Sequence, residues 1–265
     1  MRKIFAVIAS ILCALSAPAA VLLSDAFIYP NGPLTTVSGG VWTNHSGTPL
    51  EVDVTAAKVN LTENESEDVS AALSGPVSSG ILYYGLDVNF SGLPSGEGNY
   101  FAMLRDSAFV FRARLYATTN GAAAGAYRLG VANAASTPNV VFNSDLSLGS
   151  SHRVIVAYDF NNLQTTLWLD PGVETDPSVI ATDAVPITPY SVYSFSLRQS
   201  LFFGSPGAPT IQGTGTLTVD NVKVATTFVE AVPEPFSLVP LSLLMVFFFA
   251  FYRENVVRER VGSGI

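Results

Sequence analysis

From Val21 to about Val229 the chain repeats one unit, a short run rich in Val, Leu, Tyr, Phe and Thr, closed by a cluster of Gly, Pro, Asn or Ser. Little of this stretch keeps the 3.6-residue apolar period of an amphipathic helix. The runs are Val21–Ile28, Val52–Asn60, Ile81–Phe90, Tyr100–Leu104, Val110–Thr118, Tyr127–Ala132, His152–Asp159, Gln164–Leu169, Tyr193–Phe203 and Gly215–Thr227. Between them stand Asn31-Gly32-Pro33, Ser38-Gly39-Gly40, Ser74-Gly75-Pro76, Pro94–Gly98, Asn120-Gly121, Asp170-Pro171-Gly172 and Ser205–Pro209. Gly supplies positive φ and Pro fixes its own, so these clusters turn the chain sharply. Strands at this spacing, with no helices between them, predict an all-β, two-sheet antiparallel sandwich.

Two stretches show the alternation best. In Arg153–Asp170, two strands flank a turn at Asn161-Asn162, with Val154, Val156 and Tyr158 on one face. Leu167 and Leu169 share a face that Trp168 cannot share, because successive strand residues point to opposite sides. In Thr214–Phe228, Leu217, Val219, Asn221 and Lys223 alternate with Thr218, Asp220, Val222 and Val224. Neither set is wholly apolar, which places a β-bulge near Asp220-Asn221.

Both ends of the chain are of a different kind. Arg2 and Lys3 precede an apolar run from Ile4 to Leu15, then Ser16-Ala17-Pro18-Ala19-Ala20. A basic start, a short apolar core and small residues at a cleavage point predict a secretory signal peptide over residues 1–20. Its readers would be the Sec machinery and a signal peptidase cutting after Ala19 or Ala20. At the other end, Phe236–Tyr252 carries no charge and spans about 25 Å as a helix, against a hydrocarbon core of about 30 Å. Pro240 falls near its first turn, where a missing N–H costs little. Arg253, Arg258 and Arg260 follow and would stay cytoplasmic, leaving Val21–Pro235 outside. A single-pass anchor explains the helix and the arginines, but not Val232-Pro233-Glu234-Pro235 set immediately before them.

The net charge is −8. Nucleic acid is a poor partner for such a chain, since phosphate contacts need clustered Lys and Arg. The only cysteine is Cys13, within the leader, so the exported part has neither disulfide nor thiolate metal site.

The tail resembles the PEP-CTERM sorting signal: Val232, Pro233, Glu234 and Pro235 match the motif, 236–252 the transmembrane helix, and Arg253, Arg258 and Arg260 the basic end. The resemblance implies an exosortase-type membrane peptidase as partner. It also implies temporary anchoring by the helix, then release to the cell surface or an exopolysaccharide matrix. The longer end, Glu254–Ile265, dilutes the arginines with Glu254 and Glu259. The domain 21–229 resembles laminin-G-like, concanavalin A-like jelly rolls. That likeness rests on Leu23–Phe27, Gly40–Trp42, Gly80–Tyr84, the Arg153–Asp170 hairpin and Leu217–Phe228. In that architecture the first and last strands pair.

Residues that would carry chemistry are few. Some laminarinase-like members of the fold class resemble a Glu-x-Asp-x-Glu strand, whose carboxylates share one face. Here Glu51-Val-Asp-Val-Thr55 places Thr55 where the third should stand. Glu63–Asp68 is an acidic run with the oxygens Ca²⁺ favours, but without the spacing and glycine of an EF-hand loop. A calcium site built from distant loops, with Asp145 or Asp170, would leave no local signature, so no metal ligand or cofactor is assigned. His45 and His152 lack a partner at metal or triad spacing, and His152-Arg153 alone does not make a lyase site. Aromatics remain: sugar-binding sandwiches stack pyranose rings on exposed Trp or Tyr. Trp168 and Trp42 are the candidates, Trp168 first, against the alternative that both are core. These features predict a non-catalytic exported protein of the surface or matrix, with carbohydrate binding as one role and a structural or adhesive module as the alternative; a glycan hydrolase or lyase is the remaining one.

Overall fold

The alternation of apolar and polar residues organises the chain into two stacked sheets. The structure, a computed structural model, describes residues 19–184, 190–205 and 208–233. Residues 1–18 of the expected signal peptide, Glu234 and Pro235 of the motif, the helix expected at 236–252, and Arg253, Arg258 and Arg260 lie outside the described residues. Among the described residues no helix is long and apolar enough to cross a membrane.

One sheet has nine strands. Its order is Ser178–Ala181, Gln164–Leu169, Ser151–Asp159, Ile81–Gly92, Thr216–Ala225, Lys58–Thr62, Asp53–Thr55 and Gly32–Pro33. The ninth strand, Val21–Asp25, pairs with the second half of Thr216–Ala225, whose first half pairs with Lys58–Thr62. The first and last long strands thus close the sandwich together. The other sheet has eight strands, in the order Val140–Val141, Ala126–Ala132, Phe111–Thr118, Asn99–Arg105, Val192–Arg198, Asp68–Val77 and Trp42–Ser46. Leu146–Ser147 adds to Ala126–Ala132. Leu201–Ser205 and Ala208–Gly213 form a separate hairpin.

The core lies between the sheets. Val154, Val156 and Tyr158 enter it from one strand, and Leu167 from the next. Facing them are Phe101, Leu115, Tyr127 and Phe195. Phe90 packs against Tyr127 at 4.3 Å and Phe101 at 5.6 Å between ring centroids. Tyr84, fully buried, gives its hydroxyl hydrogen to the Ala113 carbonyl at 2.8 Å, so no buried donor is left unpaired there. Each such ring contributes about 1.5–3 kcal/mol through burial.

The bulge expected near Asp220-Asn221 is present: the register shifts between Asp220 and Lys223, and Asn221 has φ 52°. That extra residue lets Leu217 and Val219, then Val222 and Val224, all face the core. Val52–Asn60 is not one strand but a hairpin, turned by Ala56 (φ 52°) and Ala57 (φ 58°). Tyr193–Phe203 breaks after Arg198. Asp68–Val77 is a strand where the acidic run and Ser74-Gly75-Pro76 suggested loop and turn; the turn signal survives as a register shift near Val77. The compact unit runs to Val232, because the single-turn helix Phe228–Ala231 packs on the nine-stranded sheet.

Candidate functional site

The residues expected to stack sugars are enclosed. Trp42 is 0% exposed, between Phe27 at 5.6 Å and Phe195 at 6.2 Å, and its Nε1 donates to Asp25 Oδ2 at 2.7 Å. Trp168 does point away from the inter-sheet core, as Leu167 requires, yet it is only 6% exposed. A second small core with Tyr83 and Phe228 covers it, and its Nε1 donates to the Glu174 carbonyl. Neither ring can meet a sugar face. Val232 and Pro233, expected from the sequence to begin a sorting motif, follow in the chain the helix that does the covering.

The carboxylates singled out from the sequence serve the fold. Glu51 accepts hydrogen bonds from the Ser66 amide and hydroxyl and the Glu67 amide. Glu67, fully buried, accepts from the Val52 amide and Asn44 Nδ2. Glu63 ties the Ser95 amide and hydroxyl to the Gly215 amide. Asp145 pairs with Arg128, and Asp170 with His152. Among the described residues no group of three His, Cys, Asp or Glu is placed to hold a metal ion.

A different constellation stands on the outer face of the eight-stranded sheet, assembled by register. One row across the strands is Thr43, Ser70, Ser196 and Met103; a parallel row is Ala72, Ser194, Arg105 and Phe111. A third pairs Ser46 with Asp68 and Asp68 with Arg198. Gly47 holds the Trp42–Ser46 strand in place: at φ 75° it passes so close to the Ser66 carbonyl that a Cβ would collide.

His45 lies over the middle of this face. Its Nδ1 is 2.7 Å from Ser70 Oγ, which is itself 2.7 Å from Ser196 Oγ. Its Nε2 stands 4.0 Å from Asp68 Oδ2. Burial first, then the charges of Arg105 and Arg198, push the imidazole down to about 4. Burial also raises the Asp68 carboxyl to about 6, against the opposing pull of Arg198 and the Ser46 hydroxyl. Arginines are stacked on aromatic rings around them: Arg198 over Tyr100 at 4.3 Å, Arg114 over Tyr100 at 4.9 Å, and Arg105 over Phe109 at 4.4 Å.

Phe109 is the aromatic that sequence patterning missed. It sits in a tight loop whose Asp106 accepts the Ala108 and Val110 amides, and its φ of 61° is a costly conformation for a bulky residue. The ring is nevertheless 52% exposed. Beside it, a depression of about 230 Å³ is lined by Thr43, Ser70, Ala72, Arg105, Ser194 and the 44% exposed Tyr193. Leu73, Gly75 and Pro76 complete the lining, so a strained loop holds an apolar ring in water next to a hollow of mixed polar and apolar character, the arrangement expected of a ligand contact.

The raised Asp68 carboxyl yields a stability prediction. The folded state holds this proton more tightly than the unfolded chain, so its contribution is lost as pH rises from about 4 to about 6. Asp68→Asn removes the cost of the buried charge, and urea unfolding should find it about 2–3 kcal/mol more stable than the parent at pH 7. The gap should shrink below about 1 kcal/mol by pH 4. A destabilised variant at pH 7 would mean that Arg198 over-compensates the burial.

No protein-family model and no curated protein matches this sequence. Solved structures do resemble its fold. Peanut lectin is 10% identical with a TM-score of 0.45, over 80% of this chain and 98% of the lectin. The lectin UEA-II is 11% identical with a TM-score of 0.46, over 79% and 99%. Alginate lyase Aly36B is 9% identical with a TM-score of 0.49, over 78% and 96%.

Proposed function

We propose that the chain is an exported, non-catalytic glycan-binding protein of the cell surface or extracellular matrix. Its binding site in this reading is the outer face of the eight-stranded sheet. The observation that carries the proposal is Phe109, an exposed ring in a strained backbone, lying under Arg105, which with Tyr193, Ser70 and Ser194 lines a hollow. Sugars are recognised by that combination of an aromatic platform and hydroxyl or guanidinium donors. The non-catalytic part is supported by the occupation of Glu51, which is fixed by Ser66 and Glu67, and by the pairing of His152 with Asp170. Export and sorting by an exosortase-type peptidase rest on the leader and the Val232–Pro235 tail, with release into an exopolysaccharide matrix as the consequence.

A glycan array probed with residues 19–232 tests the proposal. Retention of a glycan is expected, and Phe109→Ala or Tyr193→Ala should each weaken it roughly fivefold, at about 1 kcal/mol per stacked ring. Unfolding midpoints should not move, because both rings are exposed. If no glycan is retained, the domain is a structural or adhesive module instead.

A further inference from the structure

The two sheets carry opposite charge. The strands of the eight-stranded sheet hold Arg105, Arg112, Arg114, Arg128 and Arg198, with Asp68 as their one carboxylate. The strands of the nine-stranded sheet hold Asp25, Asp53, Asp87, Asp159 and Asp220 against Lys58, Arg153 and Lys223. In a chain of net charge −8, five of the six arginines among the described residues thus lie on one sheet. Arg128 is paired with Asp145, and Arg112 lies over Tyr190, giving its Nη1 hydrogen to the Phe111 carbonyl while its buried Nε has no hydrogen-bond partner.

Arg105, Arg114 and Arg198 donate only to neutral groups: Arg105 Nε to Ser194 Oγ, Arg114 Nη1 to the Ala135 carbonyl and Arg198 Nη2 to Ser200 Oγ. Arg105 and Arg114 have no carboxylate within 4.0 Å among the described residues, and Arg198 has only Asp68, at 3.9 Å. Arg105 Nη1, Arg114 Nε, Arg198 Nε and His45 Nε2 are buried nitrogens with no hydrogen-bond partner. A buried donor left without an acceptor destabilises the fold, the more so when it is charged. The stacking on Tyr100 and Phe109 fixes the guanidinium planes before any ligand arrives. Arg105 pairs with Ser194, and Arg198 follows four residues later, so their Cα atoms lie about 13 Å apart along the strands. One sugar ring does not span that distance; a chain with a repeated charge does.

We infer that the ligand of this face is an acidic polysaccharide, whose ring carboxylates are held by Arg105 and Arg198 while Phe109 stacks on a sugar between them. This rests on the glycan-binding reading above and adds the ligand's charge and its polymeric nature. A planar carboxylate matches the guanidinium fork in two parallel hydrogen bonds, which a neutral hydroxyl cannot do. Asp68 opposes the ligand and keeps Arg198 oriented until it binds.

The test uses residues 19–232, which form one unit with its own core, and two probes on one backbone: hexagalacturonate and its carboxyl-reduced counterpart. Calorimetry at low salt should give binding of the acid hexamer at least tenfold tighter than of the reduced one, falling as salt screens the charges. Arg105→Gln and Arg198→Gln should each lose about tenfold. Arg198→Lys, which keeps the charge but not the fork, should lose less. Asp68→Asn should bind severalfold more tightly, an effect that a misfolded variant cannot produce. Equal affinity for the two hexamers overturns the inference and leaves glycan binding standing. Failure of both hexamers, with a neutral glycan retained on the array, overturns it as well. An empty array removes the reading on which it rests. Dextran sulfate bound equally by the parent and both Gln variants would show adhesion elsewhere on the surface and would also overturn it.

Discussion

Trp42→Ala is expected to remove about 5 kcal/mol of stability, a large share of the 5–15 kcal/mol that holds a domain together. Truncating a fully buried Trp costs about 3–5 kcal/mol, through lost transfer energy and the cavity left beside Phe27 and Phe195. The indole N–H adds to this. It donates to Asp25 Oδ2 at 2.7 Å, and the same carboxylate accepts the Phe27 amide and the Tyr29 hydroxyl. Asp25 is itself 8% exposed, so losing a donor weakens a nearly buried charge, at about 1.5–3 kcal/mol for a hydrogen bond to an ionised group. The buried end of the first strand, at Asp25, is therefore tied to the Trp42–Ser46 strand through one ring. Trp42→Phe separates the two contributions: it keeps most of the volume, loses the donor, and should cost about 2 kcal/mol. Urea unfolding of the three proteins measures both. A Trp42→Ala protein within 1 kcal/mol of the parent would return the ring to the surface and restore it as a sugar platform.

Why that ring was open to two readings in the sequence follows from what a sequence displays. Periodicity reports which residues share a face, and it did so well where alternation was strict. The Arg153–Asp170 hairpin, the inward Val154, Val156 and Tyr158, and the bulge at Asn221 all correspond to the structure. Periodicity does not report what covers a face. Trp168 was correctly separated from Leu167, but the residue that buries it, Phe228, lies 60 positions away and enters through a helix of four residues. The strand Asp68–Val77 was hidden for a related reason. Its first residue closes an acidic run and its last turn signal, Gly75-Pro76, is a bulge within pairing rather than an end. With that strand unseen, Asp68 and Ser70 could not be brought beside His45 and Arg198. Phe109 gave no signal at all, because its strain is a property of φ, held by Asp106 rather than by a glycine. The two-sheet architecture was therefore legible, while the face that furnishes the site needed the register.

Phe228→Ala should open the nine-stranded sheet locally and expose one of the chain's two tryptophans. Phe228 meets Trp168 at 5.3 Å and Tyr83 at 6.1 Å, both edge to face, and is 3% exposed. Its helix has few other means of staying formed. Four residues make a single turn, far below the length at which a helix persists alone. Thr227, at its N-cap, accepts no helix N–H with its side chain; its hydroxyl donates to Glu230 Oε2 instead. Removing the phenyl ring costs about 3 kcal/mol, which exceeds what such a turn contributes by itself. The expected result is selective: Trp168 becomes accessible to acrylamide, while Trp42, fully enclosed in the other core, stays protected. Global unfolding should shift by about 1–3 kcal/mol, since Tyr83 and Ile155 lose their cover without losing their strands. A Trp168 that remains quenched to the same low degree would show that the 170–177 loop, through the Glu174 carbonyl, covers the ring unaided. The position of this latch gives the result a wider meaning. It ends at Val232, where the compact unit also ends, so the same ring that covers Trp168 closes the C-terminal side of the unit's packing.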